Sequence, residues 1–287
     1  MDFEPPPMRT VTCNNVDIPY LAYDGDGPPV VLLHATGFLP WLWHPVAALL
    51  APAHRVIAPF FGNHRPSDPR NGGLDWLQLA RDLERLCTAL QVQDPVLVGH
   101  SMGGTVSILA HVTLGVAVRH MVLIEPIFLP AEIYRMKITV EEHPLAAKAM
   151  RRRNSWPDRE AVRADFMAKP FFRNWDPAVF ELYITFGIRN DPAGGVRLTC
   201  PPEQEAALFM GGGHHDPWPL LPAVQCPTLV MEGEDSENRP WIDLTHAANL
   251  IPRGRHIMLS GAGHLIPMER PGEVGRALAG PVLSVKC

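Results

Sequence analysis

The chain has 287 residues, 46% of them hydrophobic and 19% charged, the make-up of an ordinary globular domain with room for a substantial core. Its net charge of −5 and the lack of any basic stripe argue against a nucleic-acid partner. The one cationic run, Arg151 to Arg153, reads as a solvated helix face.

The opening MDFEPPP, with neither a basic start nor an apolar centre, reads as a disordered Pro-rich tail and not as a signal peptide. Strands are expected over 9–14 and 18–23, followed by the turn GDGPP. VVLLHA (30–35) and HRVIAPF (54–60) are continuous apolar runs of the kind found where a strand is buried on both faces. Apolar residues at 74, 77, 80, 83, 86, 87 and 90 trace one helical stripe. PVLVG (95–99) is the next strand, a helix from Ser101 to about Leu114 follows it, and HMVLIE (120–125) is a strand again. This alternation predicts a parallel sheet covered on both sides.

At Pro126 the rhythm stops. From there to Val224 the pattern is helical, with no buried apolar strand, and the segment holds twelve of the 22 aromatic residues. It is expected to cover a binding cleft, although most of its rings must serve its own packing. Strands resume at PTLVMEG (227–233) and HIMLSG (256–261), and a closing helix is expected over 272–278. The domain division is therefore a core of 1–126 with 225–287, and a helical lid of 127–224. No run of about 18 apolar residues occurs, so no membrane span is expected. Five scattered cysteines without a CxxC pair read as reduced thiols in a reducing compartment, and a cytoplasmic location is expected.

The chemistry starts at Gly99-His100-Ser101-Met102-Gly103, a G-x-S-x-G between a strand and a helix. A serine on so sharp a turn takes strained backbone angles, and glycines two positions away let strand and helix pass closely. A hydroxyl needs a base to become a nucleophile. His264, in GAGHLIPMERP just past the last apolar strand, would stand at the same sheet edge as Ser101. An oxyanion needs two backbone donors: Met102 follows the nucleophile, and Thr36 in HATGF is the expected second, with Gly37 as the alternative. GGGHHDPWP, with His214, His215 and Asp216, lacks a third-ligand spacing and is expected to bind no metal.

With HATGFLPWLW, GHSMGG, PTLVMEGEDSENRP and GAGHLIPMERP in this order, the sequence resembles the α/β-hydrolase-fold serine hydrolases along nearly its whole length. The resemblance implies a mainly parallel eight-stranded sheet, a helical lid after the sixth strand and a catalytic triad in the order serine, acid, histidine. It implies no cofactor, and a small-molecule, apolar acyl substrate such as a carboxylic ester, with thioester, lactone and carbon–carbon bond cleavage as alternatives. A ligand-binding protein on the same scaffold is the rival from another class. The sequence departs from the family pattern at Ala35, across FFGNHRPSD (60–68), and in EGEDSENRP, where Ser236 fills the usual acid position. Three carboxylates are therefore candidates to orient His264. Glu237 is preferred, ahead of Glu125 at the tip of MVLIE and Asp235 before the serine.

Overall fold

A computed structural model describes residues 4–61 and 65–282. Residues 1–3 of the Pro-rich opening, 62–64 of FFGNHRPSD and Cys287 lie outside them. The described residues form ten strands: β1 Arg9–Cys13, β2 Val16–Tyr23, β3 Pro29–Leu33, β4 Arg55–Pro59, β5 Val96–His100, β6 His120–Ile124, β7 Ile188–Asn190, β8 Val196–Leu198, β9 Thr228–Gly233 and β10 Gly254–Leu259. Eight of them build one sheet in the order β1-β2-β4-β3-β5-β6-β9-β10. β2 runs antiparallel to both of its neighbours, and every pair from β4 to β10 is parallel.

The helices are α1 His44–Leu50, α2 Trp76–Ala89, α3 Met102–Ile108, α4 Pro144–Met150, α5 Arg159–Met167, α6 Pro177–Phe186, α7 Pro202–Gly211, α8 Leu244–Leu250, α9 Ile266–Glu269 and α10 Pro271–Ala277. None is long and apolar enough to cross a membrane.

The period-2 geometry of strands explains the continuous apolar runs. In β3, Val31 and Leu33 point to one layer, with Leu97, Met121 and Leu123; Val30 and Leu32 point to the other, with Val96, Val98 and Val122. Leu79 and Leu83 of α2, Val106 of α3 and Ala247 of α8 close the first layer. Val46 and Leu50 of α1 and Val274 of α10 close the second. A parallel sheet sandwiched this way has no wet face, so alternation of apolar with polar residues is not expected in its strands.

α2 buries Ala80, Leu83, Leu86 and Cys87 of the predicted stripe, together with Trp76 and Leu79, which the stripe did not include, while Leu77 and Leu90 are half-buried. It starts where Asp75 accepts a hydrogen bond from the Leu77 amide.

Between β6 and β9 the chain leaves the sheet and forms α4 to α7. It also forms something the sequence pattern did not predict, the short antiparallel hairpin β7–β8. Three-residue strands that bury only Ile188, Val196 and Leu198 are too short to give a periodic signal. The run Arg151–Arg153 also departs from expectation. Arg151 and Arg153 are exposed, but Arg152 turns inward to the carboxylate of Glu205.

Candidate active site

The sheet register determines which side chains meet. Leu33 pairs with Gly99, His100 with Ile124, Ile124 with Met231, and Gly233 with Leu259. The carboxyl ends of β3, β5, β6, β9 and β10 therefore reach one edge together, where ligands bind in open parallel sheets.

Ser101 occupies the turn from β5 to α3 with φ 55° and ψ −117°, far from any comfortable geometry for a residue with a β-carbon. The flanking glycines make the turn sterically possible. A β-carbon at Gly99 would lie 2.3 Å from the Gly103 carbonyl oxygen, and one at Gly103 would lie 2.3 Å from that of Leu33. The turn is pinned by the Ser101 amide, which donates to the Ile124 carbonyl at 2.9 Å.

His264 Nε2 stands 3.1 Å from Ser101 Oγ. Its other ring nitrogen, Nδ1, lies 3.0 Å from Glu125 Oε2. Glu125 is 1% exposed and, like Ser101, has a left-handed backbone, with φ 48°. That bend turns its side chain from the tip of β6 toward the β9 loop. There Oε1 accepts from the Gly233 amide at 2.7 Å, and Oε2 accepts from the Ser236 hydroxyl at 2.7 Å. A carboxylate with these two donors and a histidine partner is well compensated for its burial.

This arrangement corrects the expected order of the acids. Glu237 and Asp235 are exposed, and neither makes a described bond to His264. Ser236, at the position between them, points inward and bonds to Glu125, so the loop presents a hydroxyl and not a carboxylate to the site. One extra residue does not bring Glu237 back, because Ser236 already occupies the inward direction and its neighbours must turn out. The sequence signal for Glu125 was present in its place at the tip of a strand beside that of the serine.

Asn238 was not anticipated. Its side-chain amide lies 2.8 Å from His264 Nδ1, the same nitrogen that faces Glu125. That nitrogen carries one proton or one lone pair, not both. A carboxylate is the stronger acceptor, so Nδ1–H points to Glu125, and Asn238, whose Nδ2 is the atom nearest Nδ1, lies beside that bond. This tautomer leaves the Nε2 lone pair free to take the serine proton.

His100, beside Ser101, is fully buried, and its Nε2 donates to the His264 carbonyl at 2.9 Å. Burial, followed by the proximity of His264, pushes its pKa well below the ordinary histidine value, so it is a neutral strut for the His264 loop.

Thr36 and Met102 are both buried. Met102 opens α3, so its amide has no intrahelical acceptor. Thr36 follows β3, the strand beside β5. Its loop is held by His34, whose Nε2 accepts from the Phe61 amide at 2.8 Å and whose Nδ1–H donates to the Ala35 carbonyl at 2.8 Å. A turn from the Phe38 amide to the Ala35 carbonyl, 3.1 Å, completes it.

Two other places in the molecule look like sites only at first sight. His215 pairs with Asp75 at 2.7 Å, and no cluster of three metal-ligating side chains occurs among the described residues. A cavity of about 390 Å³ lined by Glu232, Arg239, Trp241 and Asp243 contains neither Ser101 nor His264, so the chemistry, and not the cavity, locates the site.

Residues 30–277 match the family model described as "Alpha/beta hydrolase family". Over 284 residues the chain is 27% identical to the Mycobacterium tuberculosis protein named "Putative non-heme bromoperoxidase BpoC", covering 93% of this chain and 98% of that one. Among solved structures it is similar to E-2-(acetamidomethylene)succinate hydrolase, with a TM-score of 0.80 and 22% identity over 97% of this chain and 99% of the other. It is also similar to a thermophilic esterase from Thermogutta terrifontis, solved with malate bound, with a TM-score of 0.72 and 26% identity over 97% and 98%.

Proposed function

Because the chain belongs to the alpha/beta hydrolase family, we propose that Ser101, His264 and Glu125 form the catalytic triad of a serine hydrolase that cleaves a carboxylic ester or a related acyl compound. The observation that carries this reading is the unbroken relay from Ser101 Oγ through both ring nitrogens of His264 to a buried carboxylate, with steps of 3.1 and 3.0 Å.

In this reading, Ser101 Oγ attacks the substrate carbonyl carbon while its proton passes to His264 Nε2. The buried Glu125 carboxylate stabilises the imidazolium that forms. Negative charge on the carbonyl oxygen is received by the amides of Thr36 and Met102. The carbon–oxygen bond to the leaving alcohol then breaks, and His264 returns the proton to that alcohol. Water adds to the acyl-serine by the same route, giving the carboxylic acid and the free serine. No step requires a cofactor.

The segment 127–224 is the lid in this scheme. Its rings pack with Ala35, Phe38, Leu265 and Met268, the neighbours of the oxyanion loop and of His264. Phe186 stacks on Trp41 with centroids 4.7 Å apart, and Trp41 meets Phe60 edge-on at 5.8 Å. These three half-buried rings offer a wall for an apolar acyl group.

The test is covalent labelling by a fluorophosphonate, with turnover of p-nitrophenyl esters of graded acyl length. Labelling at Ser101 and its loss in Ser101→Ala are expected. An unlabelled wild-type protein, or a Ser101→Ala variant that hydrolyses esters at the wild-type rate, would overturn the reading.

A further inference from the structure

Arg152 is the one member of the arginine run that points inward. Its guanidinium donates to Glu205 Oε2 at 2.5 Å and to the Tyr183 hydroxyl at 3.2 Å. Burial works against its charge, but Tyr183 and Glu205 outweigh that cost and hold its pKa above the ordinary arginine value. Burial also raises the pKa of the Tyr183 hydroxyl, so Tyr183 is a neutral partner and the charge facing Arg152 belongs to Glu205. The buried Cys200 thiol is the remaining titratable neighbour, and burial raises its pKa too.

The other oxygen of Glu205 looks toward the loop that follows β3. Gly37, next to Thr36, has φ 75°, and a β-carbon there would lie 2.8 Å from Glu205 Oε1. The carboxylate thus rests against the turn that carries the expected oxyanion donor. Its helix, α7, is tied to the segment that leads into α2. Two residues further along, the Ala207 carbonyl accepts from the Leu74 amide at 2.9 Å, and the Leu208 carbonyl accepts from Trp76 Nε1 at 2.8 Å. Arg152 follows α4, which packs on the same helix through Ala146, Ala149, Ala206 and Met210.

A carboxylate in this position has a good and a bad effect. It braces a glycine turn, but its charge opposes negative charge developing at the neighbouring amide, in a place where water screens poorly. We infer that Arg152 and Glu205 are a positioning pair for the oxyanion loop: Glu205 braces the Gly37 turn, and Arg152 cancels the charge that would otherwise raise the barrier to oxyanion formation. The inference rests on the serine-hydrolase reading, and it adds a role for two residues outside the triad. Substrate-carboxylate capture by Arg152 is the competing role, and the test separates the two.

Wild type, Arg152→Met, Glu205→Gln and the double variant are compared in the full-length protein, after a thermal melt confirms a cooperative fold. The readouts are the second-order rate of fluorophosphonate labelling and kcat and KM for p-nitrophenyl butyrate. Arg152→Met is expected to lose about 10- to 100-fold in both rates with KM within about threefold. The double variant should regain about tenfold or more, because glutamine keeps the shape without the charge. Glu205→Gln should label no more slowly than about threefold below wild type.

A double variant as slow as Arg152→Met, or a rise in KM in place of the fall in kcat, would overturn the inference in favour of packing or substrate anchoring. If Arg152→Met does not fold, Glu205→Gln decides alone: a loss of tenfold or more in its labelling rate refutes the charge argument, and retention supports it. Ser101 labelling with no difference among the four forms defeats this inference alone. Absence of labelling in the wild type defeats the hydrolase reading, and this inference with it.

Discussion

The sheet edge and the insertion above it are built on opposite principles. At the edge, Ser101, Glu125 and His264 follow the ends of β5, β6 and β10, and sheet register, with the turns just beyond the strands, brings them together. In the insertion, Arg152, Tyr183 and Glu205 come from three separate places, following α4, within α6 and within α7, and only helix packing makes them neighbours. The difference predicts how each region responds to sequence change. Register moves in whole-residue steps and flips a side chain to the wrong face when it slips, so the edge is all-or-none. Helix packing shifts by fractions of an ångström, so changes in the insertion are expected to alter rate and preference by degrees.

The largest effect should come from the edge. Ser101→Ala should lower kcat by at least about 10³-fold while a competitive ligand still binds, because the nucleophile acts in the transition state. Steady-state kinetics with binding of an unreactive substrate analogue checks this.

Glu125→Gln comes next, with an expected loss of about 10²- to 10³-fold in kcat and the fold retained. Glu237→Gln and Asp235→Asn should each stay within about threefold, as exposed carboxylates with no bond to His264 should. If the Glu237 variant collapses and the Glu125 variant does not, the relay through the β6 tip is not the working one.

Changes in the insertion should be smaller and selective. Phe186→Ala removes the ring stacked on Trp41. It should reduce kcat/KM for octanoyl over acetyl p-nitrophenyl esters about tenfold, leaving acetyl turnover nearly unchanged. Equal losses for both chain lengths would place the acyl group elsewhere.

Asn238→Ala is expected to cost about three- to tenfold in kcat with KM unchanged. The residue packs against the His264 ring, while Glu125 remains the acceptor for Nδ1–H.

The last effect concerns stability and pH and leaves the chemistry untouched. The His100 pKa is depressed in the folded state by burial. The folded chain therefore keeps a neutral ring, while the unfolded chain takes up a proton below its ordinary pKa of about 6.5. The contribution is present above about pH 6.5 and is lost as pH falls, with a slope of up to about 1.4 kcal/mol per pH unit. Denaturant melts from pH 7 to pH 5 should show this decline, and His100→Gln should flatten it. An unchanged slope in the variant would assign the decline to other groups, such as His120, whose pKa burial also lowers.

Much of this protein is legible in the chain alone, because parallel strands and their nucleophile turn are encoded locally. VVLLHA and PVLVG are apolar without alternation since both faces of their strands are covered, and Gly99 and Gly103 are glycines since backbone oxygens stand 2.3 Å from where their β-carbons would be. Ser101 and His264 follow from those segments. The proposed acid could not be read the same way. Glu125, Asp235 and Glu237 all lie within a few residues of strand tips, and the choice among them depends on which direction each loop turns. The left-handed bend at Glu125 and the inward hydroxyl of Ser236 make that choice, and both are set by contacts with residues more than a hundred positions away. Arg152 is the extreme case. Three consecutive arginines look alike as a sequence, and only the packing of α4 against α7 decides which of them meets a buried carboxylate and which remain in water.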